Sequence, residues 1–193
     1  AGAVLALSLA SASADIINVP GDFLTIQEAI DDPGTGLGDI VVVAPGTYGP
    51  IDFKGKPITV RSTDPLDDGV VGTTVIDTAY SATAVKFVSG EGADSVLEGF
   101  RIIQGQADRG GGILCLGASP TIRYNVIRDN MAVTAGGGIY CAAGSKPTIE
   151  RNEILWNYNL SSYPLEGSGI YSLNSSPRIV RNRIIGNTAD NAG

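Results

Sequence analysis

One stretch of this chain is written three times, and that repetition limits what the chain can fold into more than any other feature. GILCLGASPTIRYNVIRDN, GIYCAAGSKPTIERNEILWN and GIYSLNSSPRIVRNRIIGN begin at Gly112, Gly138 and Gly169. Prolines at 120, 147 and 177, a first Asn at 125, 152 and 182 and a second at 130, 157 and 187 all step by 27 and then 30 residues. The period is too short for a propeller blade, and the Pro, Gly and Asn in every copy leave room only for short β-type pieces. The apolar residues alternate within those pieces, so each copy predicts two or three short strands joined by bends.

Stacked copies of this kind make a right-handed parallel β-helix, an all-β solenoid in which each rung pairs with the next about 4.8 Å away. Three aliphatic columns then point inward: Ile113/Ile139/Ile170, Ile122/Ile149/Ile179 and Ile127/Ile154/Ile184. Asn125/Asn152/Asn182 and Asn130/Asn157/Asn187 fall where the chain must bend. Asn suits such bends in two ways: it tolerates left-handed backbone, and its amide can bond the like amide one rung away.

Two ends frame this solenoid. AGAVLALSLASASAD carries an apolar run too short to span a bilayer, with Ala12-Ser13-Ala14 in the small-x-small form of a cleavage site. We read residues 1–14 as the remnant of a secretory signal peptide and 15–193 as the β-helix, hence an exported protein, secreted or at the cell surface. At the other end, Gly193 stands from Asn187 as Gly136 stands from Asn130, which is the opening of another rung. The C-terminal edge is therefore expected to continue into further rungs or domains.

In order, Ile16–Val19 reads as a strand and 23–31 (FLTIQEAID) as a short amphipathic helix that caps the first rung, where a bare strand edge and the bore would otherwise be open. Short strands are expected over 39–44, 51–53, 57–62, 74–77 and 84–88, with a turn at 45–48 and a surface loop at 64–72. SVLEGFRIIQG (95–105) matches the second half of the later repeat, with Phe100 and Gly105 in place of the two Asn.

At this point the residues carry a resemblance. TIQEAI, GDIVVVAPGTY and KPITVRS resemble the N-terminal capping region of secreted pectin-lyase-like β-helix proteins. The GGGIYC…SPTI..N.I..N run is similar to bacterial right-handed β-helix repeat proteins and, more loosely, to polymorphic outer-membrane adhesins. The resemblance implies fold and export; activity does not follow, because the same superfold carries lyases, hydrolases and adhesins. Pectate-lyase-like enzymes hold Ca²⁺ with carboxylates from neighbouring rungs and use Arg or Lys as base. Here the outward columns Glu98/Arg123/Glu150/Val180 and Arg101/Val126/Glu153/Arg183 mix signs, as a stacked surface does to separate like charges. Asp108 and Asp190 hold equivalent places, but Val133 stands between them, so no acidic ladder forms.

Composition narrows the function classes. A net charge of −7 argues against nucleic acid or an anionic membrane surface as partner. With no His, a Ser-His-Asp triad and imidazole-bound zinc are excluded. Catalytic residues and a metal site are therefore unassigned, and no cofactor is expected unless the lyase alternative, with its Ca²⁺, holds. Cys115 and Cys141 share an inward column; a disulfide lies within reach, but in-register neighbours point the same way, so two stacked buried thiols are expected.

The surface feature that stands out is the bend from Asn157 to Gly169, where Tyr158 and Tyr163 lie beside Trp156, itself in the outward column of Gln104, Asp129 and Gly186. Exposed rings beside polar groups are a way to bind flat sugar faces, so Trp156, Tyr158 and Tyr163 are candidate carbohydrate-binding residues. The competing reading is that these rings pack on their own loop. Asn159-Leu160-Ser161 and Asn174-Ser175-Ser176 are glycosylation sequons. The sequence thus points to a non-catalytic module that displays or binds polysaccharide or another surface component. The alternatives are a polysaccharide lyase or hydrolase with incomplete catalytic rungs, and a structural spacer.

Overall fold

The computed structural model describes residues 14–160 and 167–189, so residues 1–13 of the expected signal remnant, Tyr163 and Asp190 lie outside the described residues. Every strand pairing is parallel, and the strands stack in coils as a right-handed β-helix. Sheet A contains Ile16–Val19, Ile40–Val43, Thr59–Ser62, Val96–Glu98, Thr121–Arg123, Thr148–Glu150 and Arg178–Val180. Sheet B contains Gly46–Tyr48, Thr74–Asp77, Arg101–Ile103, Val126–Arg128, Glu153–Leu155 and Arg183–Ile185. Sheet C contains Ile51–Asp52, Val85–Phe87, Ile113–Leu116, Ile139–Ala142 and Ile170–Ser172. Sheet D begins only at Gln106–Arg109 and continues through Met131–Ala135, Tyr158–Asn159 and Thr188–Ala189.

A full later coil therefore has four strands where two or three were expected. The extra strand follows the second Asn, in a stretch such as MAVTA that has no clean alternation in the sequence, and Met131 pairs with Gln106 and Tyr158. Gly46–Tyr48, expected as a turn, is likewise a strand of sheet B, paired with Thr74–Ile76.

The first two members of each aliphatic column fill the bore, whereas in the last described coil Ile170 is half-buried and Ile179 and Ile184 are each 46 % exposed. Ile113, Ile122, Ile127, Ile139, Ile149 and Ile154 are all fully buried, and each such side chain contributes about 1.5–3 kcal/mol relative to exposure. Phe53 and Phe87 pack 4.4 Å apart, and Phe100 occupies the bore at the Asn125 position. Cys115 faces Cys141 across one rung; both are free and buried. Its hydrogen bond to Cys141, and then burial, hold the Cys115 thiol well above its ordinary pKa.

Both bends carry a hydrogen-bonded amide ladder. Asn152 Nδ2 donates to Asn182 Oδ1 at 3.0 Å and to Ile122 O at 2.9 Å, while its Oδ1 accepts from Asn125 N at 3.0 Å and Asn125 Nδ2 at 3.1 Å. Asn157 does the same for Asn130 and Asn187. The left-handed backbone, however, is not on the Asn residues. It falls on the residue before each: Gly99, Tyr124, Arg151 and Arg181 at the first bend, and Gln104, Asp129, Trp156 and Gly186 at the second. The Asn is needed inward, where its amide meets main-chain groups, so the residue before it takes the turn and points its side chain outward.

Two short helices complete the fold. α1 is Ile26–Asp31, shorter than expected, because Thr25 caps it: Thr25 Oγ1 accepts from Glu28 N–H at 3.1 Å and Glu28 Oε2 accepts from Thr25 N–H at 3.0 Å. Ile26, Ala29 and Ile30 are buried, and the helix packs on the first strands of sheets A and C as a cap. Lys54, through its hydrogen bond, and then Gln27 hold the Asp31 carboxyl below its ordinary pKa. α2, Asp68–Thr73, replaces part of the loop expected at 64–72. Asp67 Oδ1 caps it by accepting from Gly69 N at 2.8 Å and Val70 N at 3.0 Å. The chain leading into α2 crosses Gly99, where a Cβ would lie 2.7 Å from the Pro65 Cα, so only glycine lets this segment close over sheet B.

Candidate functional site

The solenoid sets side chains of successive coils in rows, so a site is a place where neighbouring rows combine. At the second bend the left-handed residue points outward, and in this row stands Trp156, 48 % exposed. Its indole lies between neighbours from the coils on either side. The Arg128 guanidinium carbon is 4.6 Å from the ring centroid, and a Cβ built on Gly186 would fall 2.5 Å from Trp156 Cδ1. Glycine in the next coil therefore leaves the space the indole uses.

Trp156 and Tyr158 line one open hollow of about 530 Å³, together with Leu160, Gly186, Thr188 and Ala189. Tyr158 is half-buried as the sheet D partner of Met131 and Thr188. Burial, and next the neighbouring Tyr158, push the Tyr80 hydroxyl above its ordinary pKa. Thus the structure brings two of the three ring residues singled out in the sequence to one surface; the third, Tyr163, lies outside the described residues.

A second cavity, of about 460 Å³, was not visible in the sequence. It lies between α2 and the outer face of sheet B, and Arg101, Tyr124, Arg128 and Arg151 line it beside Asp68 and Glu153. Arg151 Nη1 donates to the Tyr124 hydroxyl at 3.1 Å, which fixes that guanidinium over the cleft. Arg128 lines this cavity and also covers Trp156, so the two hollows form one strip across the side of the solenoid.

Three outward arginines outside the cleft pair with carboxylates of the preceding coil. Arg123 bonds Glu98 and Arg183 bonds Glu153 at 3.1 Å, as sign alternation predicted, while Arg178 reaches diagonally to within 3.7 Å of Glu150, whose own row neighbour is Val180. Among the described residues no group of three His, Cys, Asp or Glu side chains is placed to hold a metal ion, and no helix is long and apolar enough to cross a membrane. Of the sequons, Asn159 is fully buried and accepts from Gly137 N–H at 2.9 Å, so its amide is not open to modification in the folded chain.

Comparison with known proteins agrees with this architecture. The profile described as "right handed beta helix region" matches residues 73–193, more than half of the chain. A curated relative, a cell surface glycoprotein of Methanothermus fervidus, is 32 % identical over 106 residues, covering 53 % of this chain but only 16 % of its own length. The chain thus spans a small part of that relative. No solved structure matches the chain significantly.

Proposed function

The chain belongs to the right-handed β-helix family, and from that premise we propose that it is a surface-displayed, non-catalytic module that contacts polysaccharide through the Trp156–Tyr158 hollow. The observation that carries this reading is the half-exposed indole, held in place by Arg128 and Gly186 at the rim of an open hollow shared with Tyr158. A ring fixed in this way loses little freedom when a sugar face settles against it, and the amphipathic edge is wet. Surface placement is supported by the relative, whose name places it at the cell surface. A parallel solenoid suits display, since each coil adds length and repeats the outward rows.

The test is retention on immobilised neutral and acidic polysaccharides. Trp156→Ala should weaken retention about fivefold, the equivalent of roughly 1 kcal/mol for one ring face, with unchanged circular dichroism. Equal retention of wild type and variant across the panel would sink the sugar reading and leave a spacer.

A further inference from the structure

We propose that the cleft between α2 and sheet B is an anion subsite, in which Arg101 and Arg151 hold one oxoanion substituent of an otherwise neutral sugar chain. The inference begins with the row Val75, Arg101, Val126, whose members are in register on three successive coils. Three other outward arginines, Arg123, Arg178 and Arg183, meet a carboxylate one coil away, whereas Arg101 has valine on both sides. No ion pair among the described residues includes Arg101 or Arg151. The Arg101 Nε is buried and has no hydrogen-bond partner, although Arg101 lines the open cleft. A buried guanidinium N–H without an acceptor is costly, and a turn of the Arg101 side chain toward the cleft would let an entering anion accept from it.

The surrounding groups define what that anion is. Arg128 and Glu153 line the cleft, but each is committed: Arg128 Nε donates to Asp129 Oδ2 at 2.6 Å, and Glu153 pairs with Arg183. Asp68 is the remaining carboxylate on the wall and has no cationic partner among the described residues. Two guanidiniums without an ion pair against one such carboxylate, on a chain of net charge −7, favour a single oxoanion group and oppose a polyanion. The planar guanidinium fork fits carboxylate, sulfate and phosphate oxygens alike, so the shared chemistry is one oxoanion group on the sugar. Tyr124 stands in the same cleft with the Arg151 guanidinium carbon 5.6 Å from its ring, and Arg128 continues the surface to Trp156. The sugar bearing the anion would thus lie on the route to the aromatic hollow. This last point rests on the glycan reading above, whereas the anion subsite stands on Arg101 and Arg151.

Isothermal titration of the chain with glucuronate, glucose 6-sulfate, glucose 6-phosphate and glucose tests the proposal. At least one of the three anionic sugars should bind saturably at millimolar concentration, and the one that binds identifies the oxoanion. Arg101→Gln and Arg151→Gln should each weaken it about tenfold, while Lys146→Gln, which removes an exposed charge at a different bend, should change it little. A chain of contiguous uronates should bind no better per residue than the single sugar. Glucose binding as well as the anionic sugars, indifference to Arg101→Gln, or no saturable binding by any of the three anions would each overturn the subsite. Inorganic sulfate or phosphate binding as tightly as the matching sugar would overturn the sugar part of it. Failure of Trp156→Ala to weaken polysaccharide retention, with the Arg101 effect intact, would fault the hollow and not the cleft.

Discussion

Replacing Asn152 tests the amide ladder at the point where it is most fully bonded. The side chain is 1 % exposed, donates to Ile122 O, Glu150 O and Asn182 Oδ1, and accepts from the Asn125 main-chain and side-chain N–H groups. Asn152→Ala strips the acceptor from the buried Asn125 N–H and a donor from Ile122 O. With each buried group left unsatisfied costing about 1–3 kcal/mol, the loss should be about 2–4 kcal/mol. Asn182→Ala, in a half-buried position that solvent reaches, should cost less. Asn152→Asp keeps the acceptor but places a carboxylate against the carbonyls of Ile122 and Glu150 and against Asn182 Oδ1. Burial and those oxygens raise its folded pKa above the ordinary Asp value of about 3.9. A raised carboxyl pKa means the folded state holds its proton more tightly. The Asp variant should therefore be most stable at low pH and lose stability as pH rises from about 4 through the folded pKa. The Ala variant adds no titrating group, so its deficit from wild type should stay flat over that window. Urea titrations at pH 4 and pH 7 with a constant m-value measure both effects. Variants within about 0.5 kcal/mol of wild type, or an Asp-minus-Ala difference that does not change with pH, would refute the ladder argument.

Two further outcomes follow from the close packing of the coils. A Cβ on Gly105 would lie 1.9 Å from the Gly111 carbonyl oxygen, and backbone cannot step aside as a side chain can, so Gly105→Ala should cost about 3 kcal/mol or more in urea titration; a variant as stable as wild type would show that the bend is looser than described. Cys115 and Cys141 are fully buried, and the Cys115 thiol is held protonated, so a disulfide-exchange reagent at pH 8 should label native protein no faster than it unfolds and both thiols at once in urea; immediate labelling of native protein would contradict the inward column.

The period made the fold legible. Prolines, isoleucines and asparagines recur because each coil repeats the same geometric demands, so the columns could be assigned by counting. The left-handed positions were harder to see. Their occupants include Tyr124, Arg151, Trp156 and Gln104, none with a preference for that backbone, because the adjacent Asn network imposes the turn. α2 was hidden in PLDDGVVG, where two glycines and adjacent acids read as loop; the Asp67 cap was its available signal. Trp156 was placed correctly as outward by its column mates, but its contact with Arg128 crosses from one row to the next and is not written in any single row. The arginine cleft was missed for a similar reason. Arg101 was counted as one more member of a mixed-sign row, although valines on both sides already left it without a carboxylate. Its wall comes from a segment some thirty residues earlier in the chain.

The chain has a single tryptophan, so its fluorescence reports on the proposed contact alone. Titrating the folded protein with soluble oligosaccharides should give a saturable change in Trp156 emission, lost when Tyr158→Ala opens the hollow, with circular dichroism unchanged throughout. Emission that stays constant across neutral and acidic oligosaccharides, while the protein remains folded, would contradict the claim that this face of the solenoid meets polysaccharide.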